Sequence, residues 1–280
     1  MPNGKPGPAS PFDQLWESEI PEILRHDPDG KLTNAGILDT LMQRHPQQFA
    51  TEKRTNLLTT LGRQVKRWRS ANGYAPRPAR PRSAKRHAKP PGMVFPQEHP
   101  PGGEAQVAFT DGTELLVTVQ GEPFPHRLYN FRLSHSGWSH VEVVEEEISQ
   151  AVAPCLQRAL ARLGVAPKVL RTDYTNGAIK NGEPPDAYNK LMKQHRIRLS
   201  LANPRRPWEL GGVRSGNNQV KRAIEQALLV RGSRDFDDIA SYRRLVQQTT
   251  EQRNERPEIE ERRRADLAAM RLSPHTPMPV

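Results

Sequence analysis

Residues 51 to 92 hold twelve basic side chains, Lys53, Arg54, Arg63, Lys66, Arg67, Arg69, Arg77, Arg80, Arg82, Lys85, Arg86 and Lys89, against one acid, Glu52. That local excess equals the formal net charge of +11 of the whole 280-residue chain, so the remainder sums to zero. The chemistry such a run performs is phosphate neutralisation: lysine and arginine displace condensed counterions and supply most of non-specific DNA affinity. A solvated basic linker with no target is the competing reading. Other reactive types are sparse. The single cysteine, Cys155, falls inside a helical apolar pattern and reads as a buried structural thiol. Nine histidines show no zinc-ligand spacing, so a structural zinc is not expected.

The elements that must position these residues follow from periodicity. Phe12, Leu15, Trp16, Ile20, Ile23 and Leu24 recur at helical spacing, with Pro21 tolerable only near a helix start or a break. Thr33 caps a second helix with Ile37, Leu38, Leu41 and Met42 on its buried face. A third begins after Thr55, with Leu57, Leu58, Leu61, Val65 and Trp68 on one side and Arg63, Lys66, Arg67 and Arg69 elsewhere around its axis. Such a set suits a helix-turn-helix-type unit whose last helix enters the major groove; a three-helix bundle with a basic last helix is the plainer alternative. Proline-rich basic chain follows, extended and unable to form a core.

Further on, strands are predicted over residues 106 to 110, 115 to 119, 128 to 133 and 141 to 144. Residues 147 to 163 form the clearest helix, ended by Gly164 and interrupted by Pro154, which should kink it or delay its start. A strand at 168 to 173 ends in Asp173. A helix at 185 to 195, a strand at 197 to 201 and a long helix at 214 to 230 complete an α/β mixed sheet flanked by helices. The expected organisation is a disordered N-terminus (1–11), a helical DNA-binding domain (12–73), a basic proline-rich linker (74–103), a core domain (104–232), a C-terminal helix (233–256) and a mixed-charge tail (257–280), by default a solvated helix. No apolar run approaches the roughly 20 residues of a membrane helix, and no secretory signal opens the chain. A cytoplasmic, nucleoid-associated protein without membrane partners is the expectation.

Several ordered stretches resemble the IstA-like transposases of bacterial insertion sequences, relatives of retroviral-type integrases. They are Phe95-Pro-Gln-Glu-His-Pro-Pro-Gly102, Ala108-Phe-Thr-Asp111, Phe124-Pro-His-Arg-Leu-Tyr129, Ser136-Gly-Trp-Ser-His140, Arg171-Thr-Asp173, and residues 221 to 236 beginning Lys221-Arg-Ala-Ile. The resemblance implies a ribonuclease-H-like core that cuts and joins DNA at transposon ends and target. It also implies two Mg2+ or Mn2+ ions held by three carboxylates, a homo-oligomer and an ATPase helper protein. Relative to the family the chain looks truncated at both ends, lacking a first DNA-binding unit and a C-terminal β-rich domain.

Two of the three carboxylate positions are altered. Ala108 stands at the first, Asp173 keeps the second as the metal ligand, and Arg214 stands at the third, where a guanidinium repels a divalent cation. Two acids could substitute. Asp111 reaches the Ala108 position only if the strand ends or bulges, since an odd step reverses side-chain direction. Glu209 lies in a glycine-bearing loop with 35 residues between it and Asp173. Asp111, Asp173 and Glu209 are thus the candidate catalytic set, against an ordinary strand-end role for Asp173. Arg205, Arg206, Lys221 and Arg222 join the earlier cations as candidate DNA contacts, with exposed salt bridges as the alternative. Two functions remain open: metal-dependent phosphoryl transfer, or a catalytically inactive DNA-binding remnant that regulates an intact transposase.

Overall fold

A computed structural model describes residues 10–74, 99–172, 184–201 and 211–271, apart from the side chains of 211–215 and 271. The chain divides into two units, residues 1–96 with 225–234, and residues 97–224 with 235–280.

The first unit is helical. The segment predicted as one helix splits into α1 (Asp13–Ser18) and α2 (Ile20–Arg25), with Pro21 in the first turn of α2, where its missing N–H leaves no bond unmade. Thr33 caps α3 (Asn34–Arg44) through its hydroxyl, which accepts from the Gly36 amide at 3.0 Å. Helix α4 (Arg54–Ala71) has Lys53 at its N-cap, ahead of Thr55, which lies inside it. Phe12, Leu15, Ile23, Leu38, Leu61 and Val65 close the core, joined by Val230 from the 225–234 stretch. Asp27, 1% exposed, holds this core's polar centre. Its carboxylate accepts from the amides of Lys31 and Leu32, both at 2.7 Å, and from the Arg69 guanidinium at 2.8 Å.

In the second unit five strands make one mixed sheet in the order β5-β4-β1-β6-β7: β1 (Glu104–Asp111), β4 (Arg127–Leu133), β5 (Ser139–Val144), β6 (Val169–Thr172) and β7 (Arg198–Leu201). The β5, β4 and β1 strands pair antiparallel, whereas β1, β6 and β7 are parallel, which requires helical crossovers. Helices α5 (Ile148–Leu163) and α6 (Asp186–Gln194) provide them. The architecture is therefore the predicted mixed sheet flanked by helices, preceded by a helical N-terminal part. Val107, Tyr129, Phe131 and Leu133 on one sheet face pack with Val152, Leu156, Leu160 and Leu163 of α5. Pro154 neither delays nor ends α5; it is on the exposed side, and Gly164 closes the helix at φ +78°.

Two expectations need correction. Of residues 115 to 119, only β2 (Thr118–Val119) is a strand, in a small sheet with β3 (Glu122–Pro123) and β8 (Asp235–Phe236). The Asp111 carboxylate accepts from the Thr113 amide at 2.8 Å, turning the chain into a 3-10 turn, Thr113–Leu115, and Leu116 then adopts a left-handed φ of +51° that no strand tolerates. The tail, expected as a solvated mixed-charge helix, is the helix α9 (Pro257–Arg271), but it buries Ile259, Asp266 and Met270. Asp266 accepts from the Gly102 amide at 2.7 Å and the Ser136 amide at 3.2 Å, pinning α9 to the entry of β1 and to the β4–β5 turn. Helix α8 (Ile239–Asn254) lies along edge strand β5. Its Asn254 side chain accepts from the Ser139 amide at 3.0 Å and donates to the Ser139 carbonyl at 2.7 Å.

Beside the small sheet, His126 is 4% exposed and stacks on Phe124, with Tyr242 edge-on. Only the Nδ1 proton can meet the Phe124 carbonyl, 2.9 Å away, so Nε2 accepts from the Tyr242 hydroxyl at 2.8 Å. Burial pushes its pKa down, against weaker opposing contributions.

Removing the Asp266 carboxylate strands two amides at a buried position. Asp266→Ala should cost about 2–4 kcal/mol in urea unfolding; a loss under about 0.5 kcal/mol, the range of ordinary surface changes, would contradict the pinning role. Because the folded-state pKa of His126 is lowered, its contribution is present above the unfolded value near 6.5 and is lost as pH falls through it. Stability should decline between about pH 7 and pH 5 and His126→Gln should flatten that decline; an unchanged slope in the variant would remove the assignment.

Candidate active site

The position where a metal-binding oxygen is expected is settled by register. Pairing between β1 and β4 runs residue for residue from Ala105 opposite Leu133 to Asp111 opposite Arg127, with Ala108 opposite Asn130 and no bulge. Side chains alternate along such a strand, so Glu104, Gln106, Ala108 and Thr110 share one face and Asp111 lies on the other, about 10 Å further along. Asp111 is exposed, and the hydroxyl and then the amide of Thr113 hold its carboxyl below the usual range. The bulge that would bring it to the Ala108 side is not there.

The Ala108 face carries buried Gln106, Ala108 and Asn130, with partly buried Arg132 opposite Gln106. Helix α7 (Gly211–Arg231) meets it: the Asn130 side-chain amide donates to Asn217 at 2.7 Å, and a side chain at Gly216 would collide with Arg132. Among the described residues of β1 and β4, one carboxylate shares the face, Glu104, about 13 Å along the strand from Ala108. It is engaged by Arg171 at 3.1 Å and by the Ser134 hydroxyl and Gln106 amide, both at 3.0 Å. Two magnesium ions about 3.5–4 Å apart need several carboxylate oxygens converging on one spot. The described part of this face offers a methyl group, two carboxamides and a guanidinium there, and no cluster of three acidic, histidine or cysteine ligands occurs among the described residues. The described residues alone do not supply the ligands that the two metals implied by the resemblance would need.

Asp173, Glu209, Arg205 and Arg206 lie outside the described residues, as do Arg77, Arg80, Arg82, Lys85, Arg86 and Lys89. The backbone of Arg214 is in the first turn of α7, and its side chain is likewise outside. Among the other candidates, Arg63, Lys66, Arg67 and Arg222 are exposed. Arg69 is committed to Asp27, and Lys221 pairs with Glu114. Asn130, Arg132 and Asn217 were missed by reading the sequence. The signal was available in β4, where polar residues 130 and 132 alternate with Tyr129, Phe131 and Leu133, marking a buried polar face.

A groove of about 610 Å³ runs between β5, α5 and α8, lined in part by His140, Glu142, Cys155, Arg158 and Arg243. Burial pushes the Glu142 carboxyl up, but hydrogen bonds from His140 and Arg158 overcome it and leave it below its ordinary value. Burial first, and then Glu142, push the Cys155 thiol up to about 12, far from the thiolate a nucleophile needs.

No family model matches the chain. An uncharacterized protein of Sinorhizobium fredii is 30% identical over 285 residues, a match spanning 95% of this chain and 52% of that protein. The chain thus spans about half the length of this curated relative. Among solved structures, a chain of the simian T-cell lymphotropic virus intasome is 17% identical with a TM-score of 0.45, over 57% of this chain and 50% of its own. The HTLV-2 integrase catalytic core domain, solved in complex with magnesium, is 15% identical with a TM-score of 0.42, over 56% of this chain and 89% of its own. The catalytic core domain of BIV integrase is 16% identical with a TM-score of 0.40, over 55% and 85%. No helix among the described residues is long and apolar enough to cross a membrane.

If the Ala108 face holds no divalent metal, about 10 mM Mg2+ should leave the melting temperature of the full chain unchanged at constant ionic strength. Ala108→Asp should lower stability by about 1–3 kcal/mol whether or not Mg2+ is present. A magnesium-dependent rise in melting temperature of the parent protein would overturn this.

Proposed function

We propose that this chain is a DNA-binding protein of the transposase or integrase type that acts in DNA transposition as a non-catalytic partner, regulating or accompanying an intact relative. The observation that carries the reading is the unbroken β1–β4 register, which leaves Ala108 at the position of the first expected carboxylate and Asp111 on the opposite face. Support for DNA binding comes from the concentrated positive charge of residues 51 to 92 and from exposed Arg63, Lys66 and Arg67 on α4. On this reading α4 is the recognition helix of a helix-turn-helix-type unit and residues 74–103 track the DNA backbone. IstA-like membership, transposon ends and target DNA as ligands, assembly as a homo-oligomer and an ATPase helper belong to the same proposal. Asp173 then serves as a strand-end residue.

Fluorescence anisotropy with a labelled duplex tests the binding half. Affinity should fall steeply with salt, and replacing Arg63, Lys66 and Arg67 together by Ala should reduce the salt slope by about 3, close to one per phosphate contact. An unchanged slope would detach α4 from the DNA. A strand-transfer assay with Mg2+ or Mn2+ tests the other half: no joined product is expected, and joining that Asp173→Ala abolishes would establish the protein as an enzyme instead.

A further inference from the structure

Two arginines of the second unit approach the same stretch of α7, at Gly216 and Gln219, and no acid pairs with either among the described residues. Arg132 leaves β4 on the Ala108 face and passes between two glycines. A Cβ at Gly216 would stand 2.8 Å from its Cδ, and one at Gly137 would stand 2.6 Å from its Nη2. Gly216 is inside α7, where glycine is a poor helix former, so a packing reason for it is expected, and the passage of Arg132 supplies one. Arg253 enters from α8, is 8% exposed, and donates from Nη2 to the Gln219 side chain at 2.5 Å.

The Nη1 atom of each is buried and has no hydrogen-bond partner. Burial pushes the Arg132 guanidinium down; burial, and then the positive charges of Arg132 and Arg256, push that of Arg253 down to about 10. Both nonetheless stay charged at neutral pH, since guanidinium does not deprotonate there. Two repelling cations with stranded donors are unfavourable unless an anion joins them. Planar forks from two directions suit a tetrahedral oxyanion carrying about two charges.

We propose that Arg132 and Arg253 form a binding site for a phosphate group. It stands apart from the DNA-binding reading, because inorganic phosphate alone is the probe. The phosphate is either free in solution or part of a DNA backbone.

Calorimetric titration and thermal unfolding of the full chain, in inorganic phosphate against chloride at equal ionic strength, provide the test. Phosphate at about 10 mM should raise the melting temperature of the parent protein by several degrees. Arg132→Gln and Arg253→Gln should each weaken phosphate binding by roughly tenfold or more, and in chloride should melt no lower than the parent, since one of two repelling charges is gone. Arg253→Lys should retain part of the phosphate effect. Absence of a phosphate shift beyond the chloride control, or an equal shift in all variants, would overturn the site. The parent titration decides the matter even if a variant does not fold. Competition with a labelled duplex separates the sources: a backbone phosphate predicts displacement of DNA by phosphate and weaker DNA binding by Arg253→Gln, and a free phosphate predicts neither.

Discussion

Side chains on a paired strand alternate between faces, and along β1 that alternation runs uninterrupted from Ala105 to Asp111 against β4. This one geometric constraint sorts the second unit. It sends Ala105, Val107, Tyr129, Phe131 and Leu133 to the apolar core with α5, and Gln106, Ala108, Asn130 and Arg132 to the polar side that α7 meets. A single inserted residue would exchange the two sets beyond it and turn Asp111 to the Ala108 side of the sheet, though still about 10 Å or more along the strand. The aromatic and aliphatic packing on the far side is what forbids that exchange, so the character of the polar face is fixed by the core behind it.

Buried charges in the two units are met to different degrees. In the first, the buried carboxylate of Asp27 is satisfied by two amides and Arg69, which removes one basic residue of α4 from the surface and makes it structural. In the second, Asp266 is buried on α9 with backbone amides as partners, while Arg132 and Arg253 are buried with stranded donors. A buried charge with its bonds complete organises a core; one without them exerts a pull on whatever anion can enter.

Much of this was legible beforehand. The β1, β4, β5 and α5 segments announce themselves by periods of two and of three to four, and Gly164 and Thr33 act at the helix ends where their types suggest. Residues 115 to 119 were misread because their apolar composition says strand, whereas the Asp111–Thr113 turn and the left-handed Leu116 are decisions of backbone geometry. The buried face of α9 hid because Ile259 and Met270 are diluted by alternating charges, and because the partners of Asp266 are amides more than a hundred residues away. At the site, resemblance pointed to Ala108, yet nothing local to Arg132 foretells that Arg253 reaches the same stretch of α7.

The carboxamide of Asn254, bonded to both backbone groups of Ser139, imitates the rung that a neighbouring strand would supply. Edge strands are templates for unwanted ladder growth between molecules, and proteins commonly blunt them with charge, proline or a covering element. Here a helix lends one side chain as a stopper, so the margin of the sheet is sealed at that rung against fibril-like stacking without a proline in β5.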